Sequence, residues 1–314
     1  MFGRSRCVRS SIPNRPVDGQ TVVAAFLYPD SMPELPEVET IVRGLDKRVT
    51  GDKIDSVWIG SRKQPLKSSA AQIATTLEGK KIVRVHRAGK HIVFDLEKGT
   101  ARRKAPRAAS LRPQNEHAQW IVHLGMTGRM LVCEPAAELV KHTHLVATLA
   151  SGRELRFVDP RMFGKLSVHA AGFDPGGVEP LEVEKEQFAA LFRGRKTPIK
   201  SALLNQKLLR GVGNIYADES LFRAGIRPRR RASSLTREDF RRLHSAVQEV
   251  LREAIAVGGS SISDYVDADG EEGFFQLQHR VYGREGKQCL KCRTLVKRVV
   301  LVGRSSHYCP KCQK

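Results

Sequence analysis

Four of the chain's six cysteines stand in its last 26 residues as two C-x-x-C pairs, Cys289/Cys292 and Cys309/Cys312, with sixteen residues between the pairs. Each pair puts two thiolates on one tight turn, and two such turns supply the four soft ligands that tetrahedral zinc prefers. The spacing predicts one structural Zn2+, with no coordination position left for a catalytic water. Cys7 and Cys133 are isolated, so the set suits a metal knuckle in a reducing compartment rather than a disulfide framework. Between the pairs, Leu295–Leu301 and Ser306–Tyr308 read as a short hairpin. Residues 280–314 carry ten Lys or Arg against one acid, Glu285, and a finger that basic fits a phosphate backbone.

The rest of the chain agrees with a polyanionic partner. Its 314 residues hold 54 Lys or Arg and 33 Asp or Glu, a formal net charge of +21. The length suggests about two domains, and 40% hydrophobic content is too high for a wholly disordered basic tail. No apolar run approaches the ~20 residues of a membrane span. The run Val22–Tyr28 is too short for a signal core and is followed by Pro29-Asp30. The chain is therefore expected in the cytoplasm, away from membranes. Residues 1–31, with Arg4, Arg6, Arg9 and Arg15 and no acid before Asp18, differ from the remainder. They read as a transit-like leader, an unstructured arm, or the product of a start codon placed too early; the chemistry of Pro33, below, favours the last.

Periodicity divides the remainder. From Pro36, the residues Val38, Ile41, Val42, Leu45 and Val49 recur at helical spacing, and Gly51 stops them. Lys81–Val85 and His91–Leu96 flank Arg87-Ala-Gly-Lys90 as a hairpin, in whose second arm Lys90, Ile92, Phe94 and Leu96 share a face. Further strands are predicted at Trp120–Leu124, Gly128–Val132, His144–Leu149, Glu154–Val158 and Lys165–His169, giving a β domain over 32–170. Residues 98–118 interrupt it as a basic insertion, with Lys98, Arg102, Arg103, Lys104, Arg107 and Arg112 and no acid before Glu116. A linker over 171–185 leads to a helical domain over 186–275, and the finger occupies 276–314. Lys200–Leu209 reads as an amphipathic helix. Gly211-Val-Gly-Asn-Ile-Tyr216 follows as a turn into a second helix over Ala217–Arg223, whose first amides offer an anion site for phosphate. The best-defined helix starts at Thr236, with Asp239 completing a capping pair and Leu235 and Phe240 a hydrophobic staple. Its buried stripe is Leu243, Val247, Leu251, Ala254 and Ile255, and Gly258 ends it.

Five segments occur in an order that resembles the bacterial formamidopyrimidine-DNA glycosylases over about residues 32–314. They are Met32-Pro-Glu-Leu-Pro-Glu-Val-Glu-Thr40, His123-Leu-Gly-Met-Thr-Gly128, Asp159-Pro-Arg-Met-Phe-Gly164, Gly211-Val-Gly-Asn-Ile-Tyr216, and Tyr282-Gly-Arg284 before the cysteines. The resemblance implies an α+β fold: an N-terminal β-sandwich domain with flanking helices, then a helix–two-turn–helix domain with a zinc-finger β-hairpin. It implies a monomer that holds double-stranded DNA containing oxidised bases in the cleft between domains, in the bacterial nucleoid. The implied activity is that of a bifunctional glycosylase/AP lyase of base excision repair. Such an enzyme excises 8-oxoguanine and formamidopyrimidines through a Schiff base on an N-terminal proline, then cleaves by β,δ-elimination.

Residue by residue, the resemblance makes Pro33 the nucleophile and Glu34 the general acid. Lys90 serves elimination and contacts phosphate, and Arg304 contacts phosphate and assists δ-elimination. Met126, Arg161 and Phe163 fill the gap left by the flipped base, while His142, Arg195, Lys196 and Asn214 meet the DNA backbone. Cys289, Cys292, Cys309 and Cys312 hold the zinc, and the Gly258–Phe275 stretch resembles a loop over the extruded base. A proline inside a chain has no nucleophilic lone pair, whereas an N-terminal proline is a secondary amine, partly neutral at pH 7. The 31-residue extension and the 98–118 insertion depart from the family pattern. Two other readings stand beside the first: an endonuclease VIII-like enzyme acting on oxidised pyrimidines, and a non-catalytic DNA-binding zinc protein if the extension is retained.

Overall fold

The structure is a computed structural model that describes residues 32–98, 117–260 and 275–314. The extension 1–31, residues 99–116 of the basic insertion and residues 261–274 of the glycine-rich stretch lie outside the described residues.

Helix α1 (Leu35–Val49) forms where its spacing predicts, with Glu34 at its N-cap and Pro36 in its first turn. The Glu34 amide donates to the Glu37 carboxylate at 2.9 Å, which satisfies one of the orphan donors of the helix start. Two antiparallel four-stranded sheets follow. One runs in the order β1 (Ile54–Ile59), β6 (Thr143–Leu149), β7 (Glu154–Val158), β5 (Arg129–Cys133). The other runs β2 (Lys80–Ala88), β3 (His91–Lys98), β4 (His117–His123), β8 (Lys165–His169). They enclose one core with the stripe of α1 and the short helix α2 (Ala70–Leu77). Ile92, Phe94 and Leu96 point into it as period two requires, and Phe94 pairs across the ladder with Trp120, the rings stacked at 4.7 Å.

Strand β1 and helix α2 have no counterpart in the sequence reading. In β1 only Ile54 is fully buried and Asp55-Ser56 breaks the alternation; α2 buries only Ile73 and Leu77. The insertion is also narrower than 98–118, because Lys98 closes β3 and His117 and Ala118 pair as β4 against Glu97 and Leu96.

The second core is helical: α3 (Lys185–Phe192), α4 (Ile199–Leu203), α5 (Asn214–Ala224) and α6 (Arg237–Ala256). The α6 capping box of Thr236 and Asp239 forms as its sequence predicts. The helix expected over Lys200–Leu209 instead ends at Leu203. Beyond it the Asn205 side chain accepts the Lys207 amide at 3.0 Å, and the Leu208 and Leu209 amides turn back to the Asn205 carbonyl. An Asx turn has outcompeted the helix there. The finger hairpin, β9 (Lys297–Leu301) and β10 (Arg304–Tyr308), and the segment that leads into it are docked on α5 by two buried carboxylates, one for each. Asp218 accepts the His307 amide at 2.8 Å, and Glu219 accepts the amides of Arg280, Val281 and Tyr282 at 2.8–2.9 Å.

Several contacts join the domains, and two of them frame the start of α1. Leu35, the first residue of α1, packs in the helical core, while Val38 to Val49 pack in the sandwich. The buried Arg87 guanidinium on β2 bonds Glu39 of α1 at 2.9 Å and takes Glu179 of the connecting segment by two nitrogens at 3.0 and 3.1 Å. Glu34 therefore sits where both domains meet.

Candidate active site

Glu34 is 3% exposed, and both its oxygens are held by the start of α5: the Ile215 amide reaches one at 3.0 Å and the Tyr216 amide the other at 3.4 Å. The glycines of the preceding turn make this possible. A Cβ on Gly213 would lie 2.2 Å from the Glu34 carboxyl carbon. Gly211 has φ +90°, and a Cβ there would meet Leu35 at 2.8 Å. The sequence reading left these helix-start amides for phosphate; the structure gives them to a carboxylate of the chain itself, which the helix dipole favours equally. Burial pushes the Glu34 carboxyl above the usual carboxylate range, opposed by Lys90, the two amides and Lys200.

Around Glu34 opens a cavity of about 400 Å³. Of the residues singled out from sequence, Lys90, Met126, Asn214 and Arg304 line it with Glu34. Pro33 is buried between Met32, on the cavity wall, and Glu34. Lys90 stands in the tight β2–β3 turn after Gly89, and desolvation lowers its ammonium below the ordinary lysine range, against the pull of Glu34 and Glu37. Arg304 at the start of β10 lowers it further by repulsion. The site thus pairs an acid that resists losing its proton with an amine that gives one up more readily.

Three further residues hold this geometry, and the sequence assigned none of them a role, although Glu37 and Asp159 lie inside the quoted motifs. Lys200, 1% exposed, bonds Asp218 at 2.7 Å and the Ser305 carbonyl at 2.6 Å, behind the cavity. A lysine in a helical pattern reads as solvent-facing, so only the fold reveals its burial. Glu37 accepts from the Glu34 amide, the Ser260 amide at 2.7 Å and the Tyr216 hydroxyl. Burial and the neighbouring Glu34 raise Glu37 to about 7.

Asp159, fully buried, ties the two loops that carry the other candidates. It accepts the Thr127 hydroxyl and the Gly164 amide, so Met126 on one loop lies beside Arg161 and Phe163 on the other. The Arg161 guanidinium rides over the Phe163 ring at 5.0 Å, with Phe163 47% exposed. His142 is not in the main cavity; it lines a separate one with Trp58 and Arg62. Arg195 and Lys196 are exposed between α3 and α4, and the Arg195 Nε caps the Leu191 carbonyl at 2.7 Å.

The four cysteine sulfurs of the finger lie within 4.8 Å of one another, with Cys292–Cys309 at 3.4 Å and Cys289–Cys312 at 3.9 Å. Zn–S bonds of about 2.3 Å in a tetrahedron put sulfurs about 3.8 Å apart. The donor set and its size fit one structural zinc.

A β-sandwich and a helical domain thus close on an acid–amine pair, beside a basic finger with four clustered thiols. Family models agree with each part: "Formamidopyrimidine-DNA glycosylase N-terminal domain" over 32–166, "Formamidopyrimidine-DNA glycosylase H2TH domain" over 177–266, and "Zinc finger found in FPG and IleRS" over 286–314. The formamidopyrimidine-DNA glycosylase of Solibacter usitatus is 46% identical over 287 residues, covering 90% of this chain and all of that one. That of Desulfitobacterium hafniense is 41% identical over 294 residues, with the same coverage. Among solved structures, Lactococcus lactis Fpg in complex with a FAPY-dG containing DNA superposes with a TM-score of 0.76 at 32% identity, covering 90% of this chain and 100% of that one. MutM (Fpg) from Thermus thermophilus gives 0.75 at 39%, covering 90% and 98%. The chain belongs to the formamidopyrimidine-DNA glycosylase family, DNA glycosylases of base excision repair.

Proposed function

We propose that the protein excises oxidised purines, 8-oxoguanine and formamidopyrimidines, from double-stranded DNA and then cleaves the strand as an AP lyase, with Pro33 as nucleophile once it is the N-terminus. The observation that carries this is Glu34, buried beside Pro33, held by the α5 amides and facing Lys90 across one cavity. Support for the substrate comes from the Lactococcus lactis relative, whose complex holds FAPY-dG DNA.

The Pro33 nitrogen attacks C1′ and the glycosidic electrons leave with the base. Glu34, its proton retained by burial, protonates the departing base or the opening sugar oxygen. Loss of the sugar ring bond leaves an iminium on Pro33, which acidifies the C2′ proton. Lys90, whose ammonium is drawn below the ordinary lysine range by desolvation, takes that proton in its neutral form, and the C3′–O bond breaks with its electrons on the phosphate. A second elimination releases the 5′ phosphate, with Arg304 neutralising charge. Met126, Arg161 and Phe163 occupy the space vacated by the flipped nucleotide, and His142, Arg195, Lys196 and Asn214 hold phosphates. The zinc only fixes the hairpin that carries Arg304, since four thiolates leave no open position.

The test is product analysis on a duplex with one 8-oxoguanine, using protein that begins at Pro33. The expected product is a one-nucleotide gap with phosphate at both ends. An intact abasic strand would refute the lyase step. Faster release of oxidised pyrimidines than of 8-oxoguanine would favour an endonuclease VIII-like enzyme instead.

A further inference from the structure

Trp58 and Arg62 play no part in the reaction just described, yet they line a second cavity of about 390 Å³ with Gly60, His142, Pro160 and Met162. We infer that this cavity is an accessory nucleotide subsite, in which an unpaired base of a DNA strand stacks on the Trp58 indole and its phosphate meets Arg62 and His142. The inference rests on the DNA-glycosylase reading and extends it to a residue with no role in that chemistry.

The chain has two tryptophans, and their placements differ. Trp120 is fully buried in the sandwich, whereas Trp58 is 50% exposed on β1, an edge strand of its sheet. An indole left half in water on a sheet edge has surface to bury, and every base presents a face it can stack on. The β1 ladder ends at Ile59 paired with Leu145, and the Gly60 amide closes it on the His144 carbonyl at 3.0 Å. Beyond that point the chain turns and exposes Arg62, which has no acidic partner among the described residues.

His142 has φ +69°, a left-handed conformation that costs a non-glycine residue energy, and its carbonyl accepts the Asp159 amide at 3.0 Å. That bond ties the cavity to the loop that carries the wedge. Along this loop Pro160 and Met162 face the cavity, and they alternate with Arg161 and Phe163. The cavity therefore lies on the same loop as the wedge, where a strand displaced at the wedge can reach it. No acid lines it, and the chain carries +21, so a phosphate chain complements it. Bases paired within a duplex have no free face, which selects an unpaired one.

The two tryptophans make the test direct. Zinc-loaded protein beginning at Pro33 is titrated with a labelled single-stranded oligothymidylate, with tryptophan emission and label anisotropy followed together. Emission should fall as the oligonucleotide binds, and Trp58→Phe should abolish the fall because the remaining Trp120 is sealed from solvent. Trp58→Ala should weaken oligothymidylate binding by about five-fold or more, and Trp58→Phe should restore most of it by keeping a stacking face. Arg62→Ala should reduce the log–log salt slope by about 0.7, the value for one phosphate of a single strand. Binding with unchanged emission, or equal affinity of Trp58→Ala and wild type, would overturn the subsite. The same preparation is assayed for 8-oxoguanine excision. Excision together with a silent Trp58 removes only the subsite, while loss of both excision and DNA binding removes it together with the DNA reading.

Discussion

At the scale of single residues, the site depends on how closely the α5 turn approaches Glu34. Glu34→Gln keeps the shape and removes the proton. Base release in single-turnover kinetics should fall at least ~100-fold while binding of lesion duplex persists; wild-type rates would refute the acid role. The two shifted groups also give a signed pH dependence. Glu34 is raised by burial and must be protonated, so base release should decline as pH rises through its titration. Lys90 is lowered by burial and must be neutral, so elimination from a preformed abasic site should speed up over the same direction. Opposite slopes for the two steps, measured separately on 8-oxoguanine and abasic duplexes, are the expected result; parallel slopes would contradict it. Gly213→Ala puts a methyl carbon into the Glu34 carboxyl group and should cost about 1–3 kcal/mol in urea unfolding, with base release lost. Glu34 and Lys90 could be singled out in the sequence only through the family's motifs. Glu37 lies within one of those motifs, but what it does there depends on Ser260 and Tyr216, far along the chain.

At the scale of elements, legibility followed the strength of the period. The strands Glu154–Val158 and Lys165–His169 and the capped helix α6 were readable because each presents one continuous apolar face or a complete cap. Strand β1 was not, since its outer positions include an exposed tryptophan and its inner face is only partly buried. Helix α4 was overestimated because hydrophobic spacing continues past Leu203 while Asn205 turns the backbone away. The finger was legible from four cysteines alone, but its attachment was not. That attachment uses Asp218 and Glu219, two acids in mid-helix that any pattern assigns to solvent. Cys309→Ser or chelation should release the zinc, free the hairpin that carries Arg304, and weaken duplex binding, while the sandwich keeps its own cooperative unfolding. Unaltered duplex affinity in the metal-free protein would exclude the finger from the DNA grip.

At the scale of the whole molecule, the two cores must hold one relative position, because Glu34 belongs to α1 and its partners to α5. Arg87 is the central tie, bonded to Glu39 and Glu179 with 7% of its side chain exposed. Arg87→Ala removes three buried charge-assisted hydrogen bonds but leaves Glu39 with Arg43 at 2.9 Å and Glu179 with Arg210 at 3.4 Å, so it should destabilise the protein by about 1–3 kcal/mol in urea unfolding. A loss below about 1 kcal/mol, the level of a surface pair, would show that the domains are held elsewhere. A charge of +21 spread over both domains also requires duplex affinity to fall steeply with salt, each neutralised phosphate adding about 0.9 to the log–log slope. The most direct measurement of the central claim is borohydride trapping on an 8-oxoguanine duplex, with the adduct located by peptide mass spectrometry. Protein beginning at Pro33 should be trapped through the Pro33 nitrogen, and the intact 1–314 chain, where that nitrogen is an amide, should not. Equal trapping of the intact chain, or an adduct on Lys90 in the Pro33 form, would contradict it.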